Sequence, residues 1–264
     1  MTSRMTETFA RIRDARRGGL VTYLTAGDPD RGRSGALLRA VADGGADVLE
    51  VGVPFSDPLA DGPVIQRATE RALAGGMTLA GTLDLIGRMR PHVAAPIVLF
   101  TYANPVLRMG VEAFARRAAH AGVDGVLILD YPVEEAGPMR EAILAAGMDP
   151  IFLISPTTTD ARIRRSAELG RGFLYLISRL GVTGVRDQLA DDAASLTTRV
   201  RACTDMPTAL GFGIATPEHV ATACRSADAA VVGSALVNFV AEHAGAADLC
   251  ERTSEYVRWL KSRL

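Results

Sequence analysis

Glu50 stands inside an apolar run, Val48-Leu49-Glu50-Val51, and the loop that follows ends Leu59-Ala60-Asp61-Gly62-Pro63. Burying an ionised carboxylate in such a run costs on the order of several kcal/mol unless it is compensated. A segment built only for packing would place Val or Ile there. Two readings follow for Glu50: it pairs with a buried Arg, or a partly apolar site tunes its pKa for proton transfer. The loop carries Asp57 and Asp61 among Pro54, Pro58, Gly62 and Pro63, a composition that rules out a regular helix. Asp57 serves equally well as a turn former. Asp61 is the more suggestive of the two, because the apolar pair before it can tuck it over the mouth of whatever Glu50 lines.

A second group of residues suits an anion. Gly181-Val182-Thr183-Gly184, Gly211-Phe212-Gly213-Ile214 and Val232-Gly233-Ser234-Ala235 each follow an apolar run. Glycine lets backbone N–H groups approach a phosphate closely. The residues after Gly233-Ser234 suit a short helix whose N-terminus would face the ligand. Gly211-x-Gly213 is not a dinucleotide fingerprint: Thr216 stands where its third glycine would be, and no acidic residue ends the following strand. The stretch Ser178-Arg179-Leu180-Gly181-Val182-Thr183-Gly184, with Arg186-Asp187-Gln188 behind it, has the make-up of a hinged lid.

The elements that must position these groups read as alternating strands and helices. Apolar runs recur at 20–25, 47–51, 97–101, 125–129, 150–154, 173–177, 208–211 and 229–232. They lack clean polar alternation, as strands covered on both faces do. Helical segments lie at 5–16, 33–42, 78–90, 111–121, 139–146, 191–203 and 246–263. Helix starts stand at Pro132-Val133-Glu134-Glu135, Thr159-Asp160 and Thr216-Pro217-Glu218. With eight units and no linker, the pattern predicts one α/β domain over 1–264, a (β/α)₈ TIM barrel with an extra N-terminal helix covering its floor and a short phosphate-binding helix after strand eight. Chemistry then belongs at the C-terminal ends of the strands, where Glu50, Asp61 and the glycines fall.

Bulk properties narrow the function further. A formal net charge of -1 gives no electrostatic reason for a nucleic-acid or anionic-membrane partner. Cys203, Cys224 and Cys250 lie far apart, neither a disulfide framework nor a zinc site, and fit a cytoplasmic protein. No window has the uninterrupted apolar length of a membrane span. Lys261, the only lysine, lies near the C-terminus, which argues against a Schiff base in the pocket or pyridoxal phosphate on this chain. His92, His120, His219 and His243 fall on helices or helix ends, so no metal site is expected. Cofactor-free acid–base chemistry remains.

The run Glu50-Val51-Gly52-Val53-Pro54-Phe55-Ser56-Asp57-Pro58-Leu59-Ala60-Asp61-Gly62-Pro63 resembles the signature of the tryptophan synthase alpha subunit family. The resemblance extends from Leu24-Thr25-Ala26-Gly27-Asp28-Pro29 to the eighth strand. Two positions depart from it, Tyr131 in place of a smaller aliphatic residue and Phe173 in place of a frequent tyrosine. It implies retro-aldol cleavage of indole-3-glycerol phosphate into indole and glyceraldehyde 3-phosphate. By motif position Glu50 handles protons at the indole C3 and the glycerol hydroxyl, and Asp61 accepts the indole N–H. Gly184, Gly213, Gly233 and Ser234 match the phosphate motifs, and Thr183 meets Asp61 when the lid closes. Phe100, Tyr102, Leu127, Tyr175 and Phe212, at or near strand ends, could sandwich the flat ring. The same resemblance turns Phe55–Pro58, Asn104-Pro105 and Pro132 towards a beta subunit in an alpha2-beta2 heterotetramer. That partner would carry pyridoxal phosphate on its own lysine and receive indole through a tunnel. A stand-alone lyase releasing free indole, and a non-catalytic subunit that activates its partner, are the alternatives.

Overall fold

The computed structural model describes residues 3–177, 186–211 and 213–264, with the backbone alone for 186–192. Eight strands close on themselves in the order of the chain: β1 (Gly19–Thr25), β2 (Val48–Gly52), β3 (Ile97–Thr101), β4 (Gly125–Ile128), β5 (Asp149–Ile154), β6 (Leu174–Ile177), β7 (Thr208–Gly211) and β8 (Ala229–Val232). Each pairs in parallel with the next, and β8 returns to β1 through Gly19↔Ala229 to Thr22↔Val232. All eight runs read from the sequence are strands, with bounds that move by one residue at most.

Twelve helices are described: α1 (Arg4–Asp14), α2 (Arg31–Asp43), α3 (Pro63–Ala74), α4 (Leu79–Met89), α5 (Ala103–Met109), α6 (Val111–Ala121), α7 (Gly137–Ala145), α8 (Asp160–Leu169), α9 (Arg186–Arg201), α10 (Pro217–Ala223), α11 (Ser234–Glu242) and α12 (Leu249–Leu260). Several begin at a side-chain cap. Thr159 accepts from the Arg162 N–H, and Thr216 from that of His219 with Pro217 in the first turn.

The sequence reading missed two of the helices. Pro63 does not prevent a helix; it begins α3, where its absent N–H would have had no intrahelical partner. Asn104-Pro105, for which no helix was read, lies in the first turn of α5, whose Ala103 N–H donates to Asp130 Oδ1 at 2.7 Å. The opposite correction applies to Pro132–Glu135: it forms a turn, and α7 begins at Gly137.

Two apolar bodies result. Outside the barrel wall, Leu20, Leu49, Leu99, Leu174 and Leu210 pack beneath helices through Leu37, Ile86, Phe114 and Ile163. Inside it, Val21, Val48, Val98, Leu127, Ile151, Phe173, Ala209 and Val231 form a plug, and α1 seats Met5, Phe9 and Ile12 against its lower end. Period-two alternation sends Glu50 to the same side of β2 as Val48, into the lumen above that plug.

Candidate active site

The register places Tyr23 of β1 opposite Glu50, with Val98 of β3 on its other side. One level higher stand Thr25, Gly52 and Phe100. Glu50 has no solvent exposure. Neither of its carboxylate oxygens has a hydrogen-bond partner among the described residues, so no buried Arg there pairs with it. Burial alone pushes its pKa from 4.5 up to about 8. At neutral pH the group therefore keeps its proton, an acid aimed into an apolar chamber.

Asp61 is held from below. The Tyr102 hydroxyl donates to Asp61 Oδ2 at 3.0 Å and accepts from the Ala60 N–H at 3.1 Å. Phe55 lies against the Tyr102 ring at 5.2 Å, and Gln66 Nε2 donates to the Asp61 carbonyl at 2.8 Å. Thus the 53–62 loop is wrapped around one buried phenol. Burial lifts the Asp61 pKa to about 6, opposed by the bond from Tyr102. Two carboxyls with values near 8 and 6 leave one protonated and one largely ionised at pH 7, a division that suits one to give a proton and the other to accept a hydrogen bond.

Three aromatic rings line the lumen between these carboxyls and the wall. Tyr23 meets Phe100 edge-on at 5.2 Å, and Phe100 lies 6.4 Å from Tyr175. Both tyrosines lean the same way, each towards a glycine on the next strand. A Cβ on Gly52 would overlap the Tyr23 hydroxyl, and one on Gly211 would lie 2.8 Å from that of Tyr175. Burial pushes both phenols well above their usual pKa, so they remain neutral donors. Tyr23, whose hydroxyl lies 3.2 Å from Thr25 Oγ1, was not foreseen from the sequence. Its segment reads as strand, but nothing local tells which residues of a doubly covered strand face the lumen.

The other expected residues divide into three groups. Phe100 and Tyr175 are in this ring layer, and Tyr102 is engaged with Asp61. Leu127 lies lower, fully buried in the plug, while Leu129, just past β4, packs against that plug as Phe100 and Tyr175 do. Gly213 is exposed beyond β7 with φ +69°, a conformation glycine adopts without strain. Gly233 and the exposed Ser234 start α11, where no side chain caps the first-turn amides. Those N–H groups are open donors at the positive end of a helix dipole. Thr183, Gly184, Phe212 and the proposed lid lie outside the described residues, apart from the α9 backbone of 186–188. No cluster of three or more metal-ligating side chains occurs among the described residues.

Residues 9–263 match the family model described as tryptophan synthase alpha chain. The chain belongs to the tryptophan synthase alpha chain family. Curated members include that of Methylococcus capsulatus, 50% identical over 240 residues and 90% of each chain, and that of Citrifermentans bemidjiense, 45% identical over 98% of this chain and 97% of its own. Among solved structures, the tryptophan synthase subunit alpha of Legionella pneumophila superposes with a TM-score of 0.92 at 34% identity, covering 100% and 98% of the two chains. A tryptophan synthase structure from Mycobacterium tuberculosis gives 0.90 at 38% identity over both chains in full. The family's alpha chain is a lyase of tryptophan biosynthesis: it cleaves indole-3-glycerol phosphate to indole and glyceraldehyde 3-phosphate, and this chain carries that activity.

Proposed function

We propose that Glu50 and Asp61 are the acid–base pair of this cleavage, working within a single domain that spans 1–264. The carrying observation is the Glu50 carboxyl, wholly buried and without a partner among the described residues, a burial that raises its pKa to about 8 and keeps its proton at neutral pH. A group in that state can deliver a proton to the indole C3 while the ionised Asp61 holds the ring N–H, so that positive charge on nitrogen is stabilised. Protonation at C3 makes the C3–C3′ bond cleavable. The resulting Glu50 carboxylate then takes the proton of the C3′ hydroxyl. As that oxygen becomes the aldehyde carbonyl, the electron pair of the C3–C3′ bond returns to the ring, indole is restored, and Glu50 is protonated again. Phe100, Tyr102, Tyr175 and Leu127, with Thr183 and Phe212, are assigned to the substrate's ring and chain. Tyr102 acts through Asp61. The phosphate is assigned to backbone donors at Gly184, Gly213, Gly233 and Ser234.

The chain is further proposed to act in the cytoplasm as the alpha subunit of an alpha2-beta2 complex, needing no cofactor of its own and leaving pyridoxal phosphate to the beta partner. Leu59 is 93% exposed in the β2–α3 loop, and Leu107 of α5 is exposed as well. Bare leucines next to Phe55–Pro58 and Asn104-Pro105 suit a covered surface. The test is an indole-release assay on wild type, Glu50→Gln and Asp61→Asn, each with and without a beta subunit. Glu50→Gln should abolish cleavage while still binding inorganic phosphate, and Asp61→Asn should lose most of the rate. Near-normal turnover by Glu50→Gln would remove the proposed acid. Full wild-type speed without the partner would favour a stand-alone lyase.

A further inference from the structure

Four aromatic side chains are in contact along α11 and α12. Phe239 of α11 lies between His243 at 4.3 Å and Tyr256 of α12 at 4.4 Å, its plane within 10° of the tyrosine's. Trp259 follows at 5.3 Å. The row is joined to the two elements that carry the described parts of the proposed phosphate cradle. Phe239 belongs to the helix that begins at Ser234. The Tyr256 hydroxyl donates to the Ala215 carbonyl at 3.4 Å, in the loop that leaves Gly213. Beyond α12, Arg263 pairs with Glu218 of α10 at 3.0 Å, so α10 and its loop are held to the same support.

We infer that Tyr256 is a positioning residue for the substrate's phosphate: its ring fixes α11, and its hydroxyl fixes the Gly213 loop, so that donors from two separate βα loops face one anion. The inference rests on the phosphate assignment made above. Donors on two independent loops favour a tetrahedral anion strongly only when their spacing is set in advance. Tyr256 ties both loops to one rigid helix, and its only described hydrogen bond is the one to Ala215. The chain's single tryptophan, Trp259, lies against that ring at 46% exposure and should report on the cradle although it lies outside the barrel.

The full chain, as wild type and Tyr256→Phe, tests this with inorganic phosphate as the probe. Phenylalanine keeps the stack and removes one hydroxyl, so the fold should survive, as a thermal melt would check. Inorganic phosphate should compete with indole-3-glycerol phosphate in wild type. In Tyr256→Phe, both KM and the phosphate inhibition constant should rise about threefold to tenfold, the range expected for one hydrogen bond, with kcat within about twofold. The Trp259 emission change on phosphate titration should shrink in parallel. Unchanged KM and inhibition constants in the variant would overturn the inference while leaving the phosphate site standing. Failure of phosphate to compete even in wild type would remove the cradle assignment and this inference with it.

Discussion

A carboxyl that stays protonated in the native state but ionises in the unfolded chain leaves a trace in stability as well as in rate. Glu50 titrates near 4.5 when solvated and at about 8 when folded. Between those values the native state holds a proton that the unfolded state has lost, so stability falls as pH rises across the window. Glu50→Gln carries no such proton. Relative to wild type it should gain stability steadily from pH 5 to pH 8, by on the order of a few kcal/mol at the upper end. Thermal unfolding of the two proteins over that range is the measurement. Parallel curves would mean that Glu50 is not held neutral in the fold. This was partly visible in advance: a lone acid among Val and Leu advertises its cost, whereas the missing partner is a three-dimensional fact. Tyr102 shows the limit from the other side. Its place after a strand suggested ring packing on substrate, while in the fold its hydroxyl serves the Asp61 loop.

At the scale of elements, the ring layer depends on two strand glycines that have no side chain because a neighbouring tyrosine occupies the space. Gly52→Ala would drive a methyl into the Tyr23 hydroxyl, and Gly211→Ala would crowd Tyr175 less severely. Gly52→Ala should cost about 1–3 kcal/mol and most of the cleavage rate, and Gly211→Ala less of both. Denaturant unfolding together with indole release ranks them, and wild-type behaviour of Gly52→Ala would show that Tyr23 has room to move. Neither pairing could be read from the chain, because it takes the β1–β2 and β6–β7 registers to bring each tyrosine to its glycine. The strands themselves were legible, since a parallel barrel covered on both sides writes each one as a short apolar run. The α3 helix escaped notice for a local reason. Prolines that do break the loop at 54 and 58 disguised a third that sits harmlessly at a helix start.

For the whole molecule, closure between the chain's two ends centres on Asp47. It accepts from Arg17 at 2.6 and 3.1 Å, from the Leu20 N–H at 2.9 Å and from Lys261 at 3.0 Å, while Lys261 also donates to the Gly45 carbonyl at 2.6 Å. Burial raises the Asp47 pKa, but these donors outweigh it and hold the group below its ordinary 3.8. A depressed carboxylate stabilises the fold above its unfolded pKa and loses that contribution as pH falls through the folded one. Lys261→Met should therefore cost about 1–3 kcal/mol at neutral pH, with the gap to wild type narrowing in strong acid. Melting temperatures of both proteins from pH 7 down into strong acid check it, and a gap that stays constant throughout would exclude Asp47 as the reason. The stopper that α1 drives into the floor has a different consequence. Met5, Phe9 and Ile12 make the barrel a cul-de-sac, so indole and the triose phosphate formed in its lumen leave by the doorway at the C-terminal ends of the strands. Whatever roofs that doorway, lid or neighbouring subunit, sets the departure of both.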